Sequence, residues 1–313
     1  MTDRRRDSAV DGPFMRVKIE VGRGAGATPQ GREAPLLRAQ GHGIGFYSGF
    51  VVGSWKVEIM KVLLVGGSGM VGTFITPYLC QQHTLRVLDV APPSHDVEFI
   101  EGSIADPEAL HRALDGMDTF ITVVMKGGQG GFTRDHTAQL AIDNYTVNCL
   151  GLHLLLLAAQ EMGIPRGIHT GTMSVHHRDR TWYAGEDDVP LDGPNVYGLT
   201  KGFAEEICRY FAREFSMNLA VFRITGPSSR ERFIERRNGP PTLGVVPTDE
   251  EDLARAYLAG LDFVQDGEGR FEAFFIAGDE NQDQVNLSKA KALLGWEPRS
   301  HTVLNPRRNA DHA

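Results

Sequence analysis

The stretch Lys61-Val62-Leu63-Leu64-Val65-Gly66-Gly67-Ser68-Gly69-Met70-Val71-Gly72 decides how this chain is read. A short apolar run leads into a glycine cluster, and the residues that follow have helical character. Gly67, Gly69 and Gly72 spell GxGxxG, while Gly66, Gly69 and Gly72 spell GxxGxxG. A strand, a glycine-rich turn and a helix in that order hold a dinucleotide pyrophosphate. Gly66, Gly67, Ser68, Gly69, Met70, Val71 and Gly72 are therefore candidate cofactor-binding residues.

Working outward, Leu85-Arg86-Val87-Leu88-Asp89 reads as the second strand, and Asp89 falls 17 residues past Gly72. A carboxylate there meets the adenosine ribose 2′-hydroxyl and repels a 2′-phosphate, which favours NAD over NADP. About 125 residues beyond the glycine turn stands Tyr197-Gly198-Leu199-Thr200-Lys201. It sets a phenol and an ammonium four residues apart on one helix face, where the cation can lower the phenol pKa toward the range of a general base. Turn, ribose acid and phenol–ammonium pair together point to a nicotinamide-dependent oxidoreductase. Tyr197 and Lys201 are candidates for both catalysis and cofactor contact. A hydroxyl partner is expected at the end of the fifth strand, and Thr170-Gly171-Thr172-Met173-Ser174 offers three.

From Lys61 the chain alternates strand-like and helical stretches, the pattern of an α/β protein with a parallel sheet covered on both faces. Strands are predicted at 61–65, 85–89, 97–101, 119–124, 167–170 and 219–223, and helices at 69–81, 107–114, 138–162 and 196–215. Asp106-Pro107-Glu108 is a helix start, with an N-cap carboxylate and proline at the first helical position. Gly163-Ile164-Pro165 is a helix stop. Leu150-Gly151-Leu152-His153-Leu154-Leu155-Leu156-Leu157 is apolar around most of its circumference. Such a helix is buried on more than one side, either within the fold or in a subunit interface that makes the protein a homodimer.

Composition narrows the partners. The 313 residues carry a net charge of −8, which argues against a nucleic-acid or anionic-membrane surface. Cys80, Cys149 and Cys208 are odd in number and show no CxxC spacing, so neither a disulfide framework nor a metal site is expected and a reducing cytoplasm fits. No run approaches the roughly 20 apolar residues of a membrane span. Residues 1–59 hold nine Lys/Arg against six Asp/Glu and show no helical or strand period. They read as a disordered extension or an over-long start, with Met60 as the natural first residue.

With those motifs in place the chain resembles the extended short-chain dehydrogenase/reductase superfamily, in its NAD-dependent epimerase/dehydratase branch, from Met60 to about Pro298. The resemblance implies a Rossmann-type doubly wound parallel sheet. An NAD-binding domain with the catalytic residues spans 60–225, a small substrate-binding part 226–300 and a flexible tail 301–313. It implies that Thr172 is the catalytic hydroxyl, that Tyr197 and Lys201 are the YxxxK pair, and that Asn148 is the asparagine beside the active site. Arg223 falls on the family's arginine before Gly226-Pro227, and Asn286-Leu287-Ser288-Lys289-Ala290 with Leu294-Gly295-Trp296-Glu297-Pro298 is close to a segment common in sugar-nucleotide epimerases. The chain departs from the pattern in the loop Lys126-Gly127-Gly128-Gln129-Gly130-Gly131. It departs again in the short span from Gly226 to Asp249, where sugar-nucleotide enzymes carry a longer insertion.

The activity implied is hydride transfer at a secondary alcohol of a sugar or sugar derivative, by an epimerase or a dehydrogenase. Compactness and Asp192-Gly193-Pro194-Asn195-Val196-Tyr197-Gly198 are similar to uronate dehydrogenases, although Met173-Ser174 stands where those have Asn-His. The alternative from another class is a non-catalytic NAD(P)-sensing protein. Retention of both Tyr197 and Lys201 favours the enzyme.

Overall fold

Val62 and Leu64 point to one side of a central sheet and Leu63 and Val65 to the other, and all four are buried. That alternation on a strand apolar throughout is what a parallel sheet with helices on both faces demands. The computed structural model describes residues 45–47, 50–52, 59–126, 136–177, 179–238 and 246–301. The chain divides into two compact units, one ending at Glu58 and one beginning at Ile59. The glycine run at 127–131, the tail after His301 and most of the extension lie outside the described residues.

In the first unit β1 (Gly45–Tyr47) and β2 (Phe50–Val52) pair antiparallel, with Tyr47 opposite Phe50. This short pair is the only regular structure described within residues 1–58. Phe46, Tyr47, Phe50, Val51 and Val52 are residue types that suit a pleated pair.

The second unit opens with β3 (Lys61–Val65), α1 (Met70–Leu79), β4 (Thr84–Asp89) and β5 (Glu98–Glu101). There follow α2 (Pro107–Leu114) and β6 (Thr119–Thr122). Next come α3 (Ala138–Asn144), a π-helical turn (Tyr145–Gly151), α4 (Leu152–Glu161) and β7 (Arg166–Thr172). After α5 (Val196–Phe215) and β8 (Asn218–Ile224) lie β9 (Pro227–Ser228), α6 (Arg230–Asn238) and β10 (Thr248–Asp249). The chain then forms α7 (Glu250–Gln265), β11 (Phe271–Ile276) and α8 (Ser288–Leu294).

Seven strands form one parallel sheet in the order β11-β8-β7-β6-β3-β4-β5. Chain order reverses between β3 and β6, the crevice where open α/β sheets take their ligands. On one face Val62, Leu64, Phe222 and Phe274 pack with Ile75 of α1 and Tyr257 and Leu261 of α7. On the other Leu63, Phe120 and Val221 pack with Leu110 of α2, Leu155 and Leu156 of α4 and Phe211 of α5.

Three features differ from the elements expected. The helix from Ala138 is broken by the π turn, which offsets the faces of α3 and α4. By length and composition the 24 residues from Ala138 to Glu161 could cross a membrane, yet Leu152, Leu155, Leu156, Ala158 and Ala159 are buried within the fold. Segment 226–300 contributes β11 to the edge of the main sheet and α7 to its face, while β9 and β10 pair separately in parallel. Its end is clasped to α7. Asp252 accepts from the Arg299 and Ser300 N–H groups, and Trp296 is buried with its indole donating to the Asp252 carbonyl at 2.9 Å.

Candidate active site

A cavity of about 750 Å³ opens at the strand-order reversal, over the C-terminal ends of β3, β4, β6 and β7. Gly66, Ser68, Gly69, Met70 and Val71 line it, and Asp89 lines its far end with Val90 and Ala91. Gly66 has φ +91°, and a Cβ there would lie 2.7 Å from Val124 Cγ2, so only glycine fits. Gly67 and Gly72 sit behind the cavity wall instead. A Cβ on Gly72 would lie 2.5 Å from Gly67 Cα, and this bare contact lets the first turn of α1 rest on the loop. Gly69 is the N-cap of α1 and offers no side chain to its amides, so the first-turn N–H groups are left for a ligand. An uncapped helix end beside a glycine turn fits an anionic pyrophosphate.

Asp89 is tied into the same turn. Its Oδ2 accepts from Ser68 N at 3.0 Å and its Oδ1 from Ala91 N at 3.3 Å, while Ser68 Oγ donates to the Ala91 carbonyl at 2.5 Å. Arg86 is turned away to Glu98 and to the carbonyls of Ala113 and Asp115. The carboxylate thus faces the cavity with no cation beside it among the described residues.

At the opposite end Tyr197, Lys201 and Thr172 converge. Asn195 caps α5, its Oδ1 accepting from Gly198 N at 2.8 Å. Gly198 and Gly193 leave room for the Ser174 carbonyl, which brings the helix start against the end of β7. Thr172 Oγ1 accepts from Ser174 N at 3.1 Å, so its own proton is free to donate; the Tyr197 phenol donates to Met125 Sδ at 3.7 Å and lies close enough to Thr172 for that hydroxyl to hold its pKa down. Burial raises the Tyr197 pKa, and the Thr172 contact opposes that rise. Lys201 is not among the groups that lower it, which corrects the expected direct effect of the cation. Its Nζ is directed to the Thr170 carbonyl at 2.6 Å and to His169 Nε2 at 3.3 Å. Burial brings the Lys201 pKa down to about 8, against Cys208, Glu205 and Cys149, which hold it up.

The other hydroxyls of the β7 segment separate cleanly. Thr170 Oγ1 lies 2.5 Å from Tyr257 OH on the α7 face. Ser174 lines the cavity, and its N–H orients Thr172. Asn148 is buried and does not line the cavity. Its Oδ1 accepts from Lys126 N at 2.9 Å, and its Nδ2 donates to the Lys126 carbonyl at 3.0 Å and to Thr200 Oγ1 at 3.0 Å. The π turn carries this clamp, which reaches the site through the end of β6. Arg223 is buried in a two-pronged ion pair with Glu205, one helical turn past Lys201, and also donates to the Glu186 carbonyl at 2.7 Å.

Sequence reasoning missed the wall beyond Tyr197. Met125, Met173, Tyr183, Ile224 and Pro227 surround that end of the cavity. Tyr183 arrives from a stretch without period, pinned by a bridge to Val285 and packed on His176 and Phe275. Nothing local to Tyr183 signals this. His169 was passed over for the hydroxyls that follow it, although a histidine inside an apolar strand is itself a signal. Among the described residues no group of His, Cys, Asp and Glu could hold a metal ion.

This glycine turn, strand-end carboxylate and hydroxyl–phenol pair on a seven-stranded parallel sheet accord with what the comparisons return. Residues 62–240 match the model of the NAD dependent epimerase/dehydratase family, and the chain belongs to that family. The 3 beta-hydroxysteroid dehydrogenase/Delta 5-->4-isomerase of Mycobacterium tuberculosis is 32% identical over 160 residues, 49% of this chain and 43% of the relative. A 2-alkyl-3-oxoalkanoate reductase of Stenotrophomonas maltophilia is 29% identical over 230 residues, 69% of this chain and 62% of the relative. The alignment with the mycobacterial relative spans less than half of that protein's length. Among solved structures, a short-chain dehydrogenase/reductase superfamily protein of Agrobacterium tumefaciens with bound NAD superimposes with a TM-score of 0.64 at 20% identity. The match covers 80% of this chain and 97% of that one. A uronate dehydrogenase of the same organism, complexed with NAD, gives 0.61 at 18% identity, over 82% and 91%. These likenesses establish the Rossmann-type fold.

Proposed function

We propose that this chain is an NAD-dependent oxidoreductase that transfers a hydride at a secondary alcohol, or at the matching ketone, on an apolar skeleton. The observation that carries hydride transfer is the convergence of Thr172, Tyr197 and Lys201 on one cavity whose other end is the glycine turn and Asp89. When bound, NAD supplies the hydride acceptor. Thr172 donates to the reacting oxygen and fixes it beside Tyr197. Tyr197 takes up the hydroxyl proton as the carbonyl forms, and Lys201, held on the Thr170 carbonyl, faces the nicotinamide ribose. The bare carboxylate of Asp89 supports NAD over NADP. Three free cysteines suit a reducing compartment, in keeping with a cytoplasmic protein.

The apolar skeleton is our reading in preference to the sugar that the family resemblance implies. A sugar needs hydrogen-bonding groups at several hydroxyls, and each one buried unpaired is penalised. The wall beyond Tyr197 is mostly apolar, with Met125, Met173, Tyr183, Ile224 and Pro227 beside the polar Lys126, Ser174 and Thr225, and has no acidic residue or arginine among its described residues. Two relatives named for a hydroxysteroid and an alkyl-oxoalkanoate support the same reading. The test is formation of reduced cofactor with NAD against a panel of hydroxysteroids, 3-hydroxyalkanoates, uronates and nucleotide-linked sugars. Turnover of the sugars alone would sink the apolar reading, and full turnover by Tyr197→Phe would sink hydride transfer.

A further inference from the structure

Two consecutive residues of one strand hold Lys201. Its Nζ donates to the Thr170 carbonyl at 2.6 Å and to His169 Nε2 at 3.3 Å, and Lys201 itself lines the cavity. His169 is buried, and burial, then the nearby Lys201, keeps its ring neutral by holding its pKa well below the usual value. A neutral imidazole has one N–H and one acceptor nitrogen, whereas an ammonium has donors only. Nε2 is therefore the acceptor and the ring proton lies on Nδ1. That nitrogen is buried with no hydrogen-bond partner among the described residues. A fold that leaves a buried donor unpaired does so against a penalty, and here the return is the bond on the other side of the ring.

We infer that His169 is a positioning residue. Together with the Thr170 carbonyl it fixes two of the three N–H groups of the Lys201 ammonium on β7, so that the third is presented to the cavity. This rests on the hydride-transfer reading, in which Lys201 holds the cofactor ribose. The other groups facing Lys201 are Glu205 and Cys208 from α5 and Cys149 from the π turn. Burial raises both thiols, Cys149 to about 11, so neither is an anion at neutral pH, and Glu205 is committed to Arg223. His169 is the neutral partner that orients the ammonium.

The experiment compares His169→Phe, which keeps a ring and removes the acceptor, with His169→Gln, whose Oε1 can replace Nε2. NAD affinity is measured by calorimetry across pH, and the imidazole ¹⁵N resonances are recorded without NAD. The phenylalanine variant is expected to bind NAD about tenfold more weakly, the scale of one hydrogen bond to a charged group. Its affinity should also begin to fall at lower pH, because the ammonium has lost an acceptor. Glutamine should restore both. The resonances present in the unmutated protein and missing from His169→Gln should show Nδ1 protonated and Nε2 bare. A protonated Nε2, a phenylalanine variant that binds like the parent, or a glutamine variant as weak as phenylalanine overturns the inference. If His169→Phe does not fold, the ¹⁵N tautomer and the glutamine variant still decide it. A parent that binds no NAD fails the hydride-transfer reading, while the tautomer separately keeps or removes the His169–Lys201 bond.

Discussion

A Cβ on Gly198 would lie 2.3 Å from the carbonyl oxygen of Ser174. The start of the helix that bears Tyr197 therefore rests directly on the backbone that follows Thr172, and the glycine sets that separation. Gly198→Ala forces one backbone away from the other, since the obstacle is a carbonyl and not a flexible side chain. A stability loss of about 1–3 kcal/mol is expected from the overpacking. Turnover should fall further than the melting temperature explains, with NAD affinity largely kept. Thermal denaturation beside steady-state kinetics checks this; unchanged kcat would mean the contact relaxes without moving the phenol.

Asp89 accepts from Ser68 N, and under the proposed function the same carboxylate meets the cofactor ribose. Asp89→Ala should narrow or reverse a preference for NAD over NADP and weaken NAD itself by loosening the turn. Titrations with both cofactors decide it, and a parent that binds NADP more tightly contradicts the assignment.

Tyr197→Phe keeps the ring and removes the proton acceptor. Turnover should drop by about two orders of magnitude or more with NAD still bound, the scale of general acid–base catalysis. Thr172→Val should lower turnover with little change in NAD affinity, and Ser174→Ala should cost less. A larger loss from Ser174→Ala would place the reacting oxygen nearer Met173.

The Lys201 pKa of about 8 gives a pH prediction with a definite sign. The group is charged below that value and neutral above it, so NAD affinity should decline as pH rises through about 8 and stay flat in Lys201→Met. For stability the sign is opposite. A lysine depressed by burial opposes folding: the penalty is full below about pH 8, where both states are protonated, and fades as pH rises from there toward the ordinary lysine pKa. Calorimetry and thermal denaturation over the same pH range separate the two effects.

Ile142, Tyr145, Leu150, Leu199, Phe203 and Tyr210 are exposed, and the rings of Tyr145 and Phe203 lie 6.3 Å apart between the π turn and α5. Exposed apolar residues gathered in this way are common at interfaces between copies of a chain. The expected state is a dimer through it, disrupted by Phe203→Glu. Light scattering that finds a monomer at micromolar concentration in the parent refutes this.

The nucleotide half of the fold was legible because its signals are local. Strand, glycine turn and helix follow one another in the chain, and Asp106-Pro107 and Asn195 cap their helices as such residues should. Tyr197 and Lys201 were found by spacing and Thr172 through the family resemblance, and the cavity brings all three together. What was not legible depends on distant partners. β11 is the strand at one edge of the sheet and is fixed by its pairing with β8. The expected influence of Lys201 on Tyr197 failed because helical spacing sets which face a side chain leaves, not which acceptor its end finds. The apolar wall is assembled from β6, the end of β7, a bridge at Tyr183 and the turn after β8, so no window of sequence contains it.

The double grip of Asn148 on Lys126 reaches beyond the end of β6. Both main-chain polar groups of Lys126 are held by one amide, which is in turn joined to Thr200 on the helix of Tyr197 and Lys201. Whatever sequence follows Lys126 departs from a point anchored to the catalytic helix. A change at Asn148 is therefore felt at once at the chain leaving β6 and on the helix that bears Tyr197, two places far apart in sequence that one side chain keeps in step.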